Sequence, residues 1–157
     1  MRFEQMTFSQ QVKALERLYK FLNKEAFNNY LKMPKMDIEN LSKEDDVYGA
    51  YRRPTEYKAM LENGELIDVY PERIAISLEL EEDAAKAKTQ KDQAVMLGEV
   101  ILHEMVHQFC YAAGIDDTNH NENFAFWAGK FGICFICEGC EELEEYMEFA
   151  IRQGFRL

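Results

Sequence analysis

Between Phe8 and Tyr30 the apolar residues Val12, Leu15, Tyr19, Leu22 and Ala26 recur every three or four positions, the spacing of one face of an amphipathic helix. Thr7 or Ser9 can cap its start, and Met33-Pro34 closes the segment. The period then changes. Met36–Glu39, Val47–Arg52 and Tyr57–Leu61 are short runs rich in aliphatic and aromatic residues. Asn63-Gly64 is a tight-turn pair and predicts a hairpin that joins Tyr57–Leu61 to Glu65–Tyr70. After Pro71, Arg73–Leu80 sets Ile74, Ile76, Leu78 and Leu80 against mostly polar partners, the alternation of a half-buried strand. Helical spacing returns after Glu81. Lys91–Ala113 carries Val95, Leu97, Ile101, Leu102, Met105, Val106 and Phe109, too broad an apolar load for a surface helix. It predicts a central, buried helix that Gly114 stops. Asp116, Asp117 and Asn119 form a polar loop, and Asn119 or Asn121 can cap a helix from about Glu122 to Gly132. A last helix spans Glu141–Gln153, with glutamates at its positive N-terminal end. The order is an N-terminal helix, a small, mostly antiparallel sheet, a central helix and two C-terminal helices. That is an α+β fold, expected as one domain over residues 1–157.

Composition narrows the function classes. With 47% hydrophobic and 13% aromatic residues, and only 8 Gly and 3 Pro, the chain can fill a core and is not expected to be disordered. Its 29 acidic residues outweigh 18 basic ones, for a net charge of −11, so phosphate backbones repel it and direct nucleic-acid binding is not expected. Lys86, Lys88 and Lys91, and the pair Arg52-Arg53, read as solvated faces. Met1–Gln10 lacks the apolar centre and small-residue cleavage site of a signal peptide. No apolar run reaches the ~18–20 residues of a membrane helix. A cytoplasmic protein without membrane contact is expected, its four cysteines present as reduced thiols or metal ligands.

The chemistry gathers in one window. All three histidines of the chain, His103, His107 and His120, fall within it, and the first two belong to His103-Glu104-Met105-Val106-His107, the HExxH arrangement. Residues four apart on a helix lie about 6 Å apart along the axis on one face. Two imidazoles so placed can reach one Zn²⁺ at about 2.0–2.1 Å. Glu104 stands beside them, where it can take a proton from a water acidified by the metal. A catalytic zinc needs a third protein ligand. His120, thirteen residues on and past Gly114, is the main candidate, and Glu122 is the alternative. A metzincin would carry glycine three and histidine six residues after His107; Cys110 and Ala113 stand there, which excludes that class. One histidine on a buried helix is ordinarily a packed core residue. A pair with an intervening glutamate and a third histidine downstream points instead to a metallohydrolase. A purely structural zinc has no need of Glu104 and tends to use thiolates. Two competing classes stay open: a zinc-binding interaction or regulatory module without proteolysis, and a zinc hydrolase of small amides. Tyr51 and Tyr111 are candidates for stabilising an oxyanion. Cys134, Cys137 and Cys140 form CxxCxxC, a thiolate spacing suited to a second metal. No separate second CxxC accompanies them, and Ile133, Phe135 and Ile136 favour buried thiols that pack as small hydrophobes.

Asn23, Phe27 and Leu31 have the spacing Asn-x-x-x-Phe-x-x-x-Leu in an opening helix, and Gly49-Ala50-Tyr51 and Arg73–Ser77 follow as strands. Leu102–His107 and then His120-Asn121-Glu122-Asn123-Phe124 complete the series. With these segments the chain resembles the SprT-like zinc metallopeptidase domain family (Spartan-related) from about residue 12 to residue 133. The resemblance implies a zincin-like fold and peptidase activity on protein or peptide substrates. It implies zinc held by His103, His107 and His120, and Glu104 as general base. Asn121 stands where the family has glycine, which leaves the backbone after His120 open. Some members of that family carry a zinc ribbon or DNA-binding segments; the chain's end and its charge argue against both here. The strand Arg73–Leu80 is expected to hold an extended substrate as an added β-strand.

Overall fold

Thr7 starts the first helix, α1 (Phe8–Phe27), as the pattern implies: its side chain accepts a bond from the Gln10 N–H, and the Gln10 side chain answers at the Thr7 N–H. The helix ends on two asparagines in the left-handed region, Asn28 at φ 52° and Asn29 at φ 61°, a conformation that short amides tolerate. Asn23 then holds the turn, donating to the Leu31 carbonyl and accepting from the Leu31 N–H. Two residues of the opening motif thus fasten α1 to the chain that leaves it. The structure, a computed structural model, describes residues 1–41, 48–54, 58–68, 71–132, 141–152 and 154–157. The CxxCxxC cysteines and the ends of several expected strands (Val47, Tyr57, Val69, Tyr70) lie outside the described residues.

The strands are β1 (Lys35–Glu39), β2 (Gly49–Arg52), β3 (Lys58–Met60), β4 (Leu66–Asp68) and β5 (Arg73–Ser77). The helices after them are α2 (Leu78–Ala85), α3 (Gln90–Ala113), α4 (Glu122–Lys130) and α5 (Glu141–Arg152). In the three-stranded sheet, β5 lies between β1 and β2, parallel to β1 (Met36 opposite Ile74) and antiparallel to β2 (Tyr51 opposite Ile74). The Asn63-Gly64 turn joins β3 and β4 in a separate hairpin, with Gly64 at φ 84°. The fold is α+β, and among the described strands the pairings are mostly antiparallel, β1 with β5 being the parallel one.

Two expectations need correction around β5. The strand stops at Ser77, not Leu80, because the Ser77 side chain accepts from the Leu80 N–H and caps α2. Leu78, alternating with Ile74 and Ile76 in sequence, turns to solvent on that helix, while Leu80 is buried. Nor is β5 half-buried. Ile74, Ala75, Ile76 and Ser77 are all buried, and both edges of the strand are already paired. A substrate cannot add to it; the sheet's edges are β1 and β2. The sequence also gave no sign of the single 3₁₀ turn Phe3–Gln5, where Phe3 is fully buried and its N–H donates to Gln93 of α3.

The core is built around α3, which packs against α1, α2, α4, α5, β2 and β5. Leu97, Ile101, Leu102, Met105 and Val106 of α3 meet Leu15, Leu18, Tyr19 and Leu22 of α1 in one cluster. Each fully buried leucine there contributes about 1.5–3 kcal/mol. On the β2 side the approach is closest at Gly49. A Cβ at that position would stand 2.5 Å from Val100 Cγ1, 3.2 Å from the Ala75 carbonyl oxygen and 3.4 Å from Glu104 Cγ. Valine is stiff about χ1 and cannot swing aside freely. Gly49→Ala is therefore expected to cost roughly 1–3 kcal/mol in urea unfolding, and most of that cost should vanish in a Val100→Ala background. A Gly49→Ala protein as stable as the parent would contradict the close approach.

Candidate metal and active site

His103, Glu104 and His107 lie on the half of α3 nearest its C-terminus, and His120 returns to them from beyond its end. The return is a local construction. Gly114 adopts φ 69° and ends α3, and the Ile115 N–H bonds back to the Cys110 carbonyl. Asp116 then organises the loop. Its carboxylate accepts from the N–H and hydroxyl of Thr118, and its carbonyl accepts from the Asn121 and Asn123 side chains. Asn119 (φ 54°) and His120 (φ 51°) both take the left-handed conformation, so the turn is made at the histidine and the residue before it. Asn121 itself has φ −64° and needs no glycine there; its side chain caps α4 by accepting from the Phe124 N–H.

The result brings the three imidazoles together. His120 Nε2 lies 3.1 Å from both His103 Nε2 and His107 Nε2. Among the described residues the three ligand atoms lie within 4.8 Å of one another, and no carboxylate joins the group. A tetrahedral ion with metal–nitrogen distances of about 2.0–2.1 Å spaces its ligand atoms roughly 3.3 Å apart. The histidine set fits such an ion. Glu122, the alternative third ligand, is exposed in the first turn of α4 and does not belong to the cluster.

Packing and hydrogen bonds hold the rings. His107 Nδ1–H donates to Asp117 Oδ2 at 2.6 Å, which fixes the tautomer and leaves the Nε2 lone pair facing the other two histidines. Phe124, fully buried, stacks on His107 at 4.4 Å and touches His103 and His120 at 5.0 and 4.8 Å between ring centroids. Burial, reinforced by the neighbouring histidines, pushes the His103 pKa down to about 3; burial and His107 also lower that of His120. Both shifts favour the neutral ring, the form in which an imidazole can bind a metal. Burial pushes the Glu104 carboxyl up to about 8, against the opposing pull of the Tyr51 backbone N–H that faces it.

A family model described as metallopeptidase toxin 3 matches residues 3–133. The chain belongs to that family. The match spans α1 to α4 and so includes every residue of the cluster. It establishes a metallopeptidase, the class that the HExxH pattern implied, under a different family description from the SprT-like one. No curated protein and no solved structure matches the chain. Protein is the substrate class of such a peptidase, and no helix among the described residues is long and apolar enough to cross a membrane.

Within this metallopeptidase, the tyrosines chosen from the sequence differ in position. The Tyr51 hydroxyl is committed to Glu72, where burial and the carboxylate raise its pKa above the ordinary tyrosine range. Tyr111 is partly exposed one turn beyond His107, with the Arg53 guanidinium 5.0 Å above its ring. Arg53 also lies 3.6 Å from Asp117. Sequence reasoning passed over Asp117 and Phe124 as site residues. Asp117 was findable, because a metal-binding histidine commonly gives its second N–H to a carboxylate, and the connecting loop offers only Asp116 and Asp117.

Two measurements follow from this geometry. Asp117→Asn should weaken metal binding about 10–100-fold in a chelator competition, with all three histidines intact; unchanged affinity would remove Asp117 from the site. In the metal-free protein, a Glu104 carboxyl raised from 4.5 to about 8 favours its protonated form, so its stabilising effect is lost as pH rises through that interval. His103, lowered from 6.5 to about 3, loses stability only as pH falls below 6.5. Between pH 6.5 and 8 the metal-free parent should lose more Tm than metal-free Glu104→Gln. Equal slopes for the two proteins would refute the buried carboxyl.

Proposed function

We propose that the chain hydrolyses peptide bonds as a zinc-dependent peptidase, with His103, His107 and His120 holding the ion and Glu104 serving as general base. What supports this reading is the convergence of three imidazole nitrogens, 3.1 Å apart in two of their pairs, next to a buried carboxylate on the same helix. Zinc at such a site supplies Lewis acidity towards a carbonyl oxygen and acidifies water. The chain's own groups do the rest. Glu104 accepts the proton of the attacking water and passes it to the leaving amine, so the carboxylate is regenerated as the C–N bond breaks. Its burial makes it a stronger base than an exposed glutamate. Asp117 and Phe124 hold the His107 ring in register for the ion.

The SprT-like plan is part of the proposal. Two of the segments that carry that resemblance, Leu102–His107 and His120–Phe124, supply the clustered histidines. We place the activity in the cytoplasm, where the buried thiol of Cys110 would stay reduced. The family description speaks of toxins, which directs the search for substrates first to proteins of a target cell.

The test is cleavage of an unfolded protein by the zinc-loaded chain beside Glu104→Gln. The parent should cleave, and the variant should bind zinc equally yet lose about 10²–10⁴-fold in rate. Equal cleavage by both would end the peptidase reading, and zinc binding without cleavage by either would leave a metal-dependent binding module. Metal analysis of His120→Ala tests the ligand set separately: bound zinc should fall, and an undiminished stoichiometry would move the third ligand to another group.

A further inference from the structure

Behind the cluster, on the side of α3 facing β2, a second set of polar groups is buried without any role in holding a metal. Val100, Glu104 and Gln108 stand four residues apart, so they form one stripe along α3. Strand β2 runs along that stripe. Gly49 packs at Val100 and Glu104, and the Tyr51 backbone N–H faces the Glu104 carboxylate. The spacings agree: two residues of strand advance about 6.6–6.8 Å, and four residues of helix about 6 Å.

Glu72, the residue before β5, ties the two elements together. Its Oε2 accepts from the Tyr51 hydroxyl at 2.5 Å and its Oε1 from Gln108 Nε2 at 2.9 Å. Gln108 is fully engaged: its amide also donates to the Lys32 carbonyl at 2.7 Å, and its oxygen accepts from the Tyr19 hydroxyl at 2.8 Å. Turning the amide over would set its oxygen against a carboxylate and a carbonyl, so the network admits one orientation. Tyr51 keeps its proton, because burial and Glu72 raise its pKa, and the hydroxyl remains a donor. One carboxylate thus bridges β2 to the helix one turn beyond Glu104.

Resting on the peptidase reading above, the structure assigns Glu72 as a positioning residue: through Tyr51 and Gln108 it fixes the register of β2 on α3, and so sets the Tyr51 N–H against the Glu104 carboxylate. Glu72 does not reach the reacting atoms. It is not a metal ligand, and its loss should leave zinc binding intact.

The assignment is tested with Glu72→Gln, which replaces an acceptor of two bonds by an amide that opposes a donor to one of its donors, and with Tyr51→Phe, which removes only the hydroxyl. In the metal-free protein, amide hydrogen exchange at position 51 should quicken about tenfold or more in both variants, while amides of the α1 core keep their protection. In the zinc-loaded protein each variant should lower kcat about 10–100-fold, the cost of a misplaced group, with KM and zinc content within twofold, and the double variant should be no worse than the weaker single one. Unchanged exchange at position 51 in both variants overturns the assignment, and so does exchange quickened equally throughout the chain, which marks a merely structural role. Unchanged kcat in variants of a parent that cleaves overturns it too. If the parent cleaves nothing, the peptidase reading fails by itself and the exchange pattern alone decides for or against Glu72.

Discussion

A carboxyl group held almost entirely out of water in the middle of α3 is the constraint that shapes its surroundings. Burying an ionised carboxylate without partners costs several kcal/mol, so the site has to keep Glu104 protonated, pair it, or set dipoles against it. In the metal-free protein the fold does chiefly the first, and it also sets one backbone N–H against the group, brought close by a strand that carries glycine at the point of nearest approach. The same helix supplies the largest share of the hydrophobic centre. Its apolar stripes anchor it on α1 and the sheet, and this immobility gives the polar stripe its fixed geometry. Packing and chemistry are thus borne by different faces of one rigid element.

The histidine cluster follows a different logic. Two of its members come with the helix at no extra conformational cost, since a spacing of four places them together. The third depends on a short loop whose shape is set by Asp116 and by two left-handed residues. Phe124 links the two parts, for it begins the buried face of α4 while it lies against all three rings. Burial favours the neutral form of His103 and His120, and Asp117 holds the His107 ring by accepting from its Nδ1–H.

Much of the fold was legible because local signals were strong. Thr7 and Asn121 cap helices with their side chains and Gly114 stops one with its left-handed backbone, and each device depends on neighbours within a few residues. The cluster was legible too, since the HExxH spacing and a lone further histidine state their geometry in the residue numbers. What failed was a matter of tertiary context. Alternation through Leu80 could not reveal that Ser77 would cap a helix, and no periodicity tells a central strand from an edge one. Phe3 is defined by a partner distant in sequence, which leaves no periodic trace. The network of Tyr19, Gln108, Glu72 and Tyr51 joins three elements and the residue before β5, and was invisible for the same reason.

The left-handed pair Asn119–His120 carries one more consequence. Two of the clustered histidines belong to a helix packed against α1, α2, α4, α5 and the sheet, whereas the third rides on a turn of a few residues, the kind of segment that opens locally. Opening of the loop would carry His120 away and leave His103 and His107 in place on the helix. The persistence of the complete cluster would then be set by one left-handed turn and not by the helix. In such an arrangement the helix is a fixed jaw and the loop a latch, and Asp116 braces the latch through its bonds to Thr118, Asn121 and Asn123.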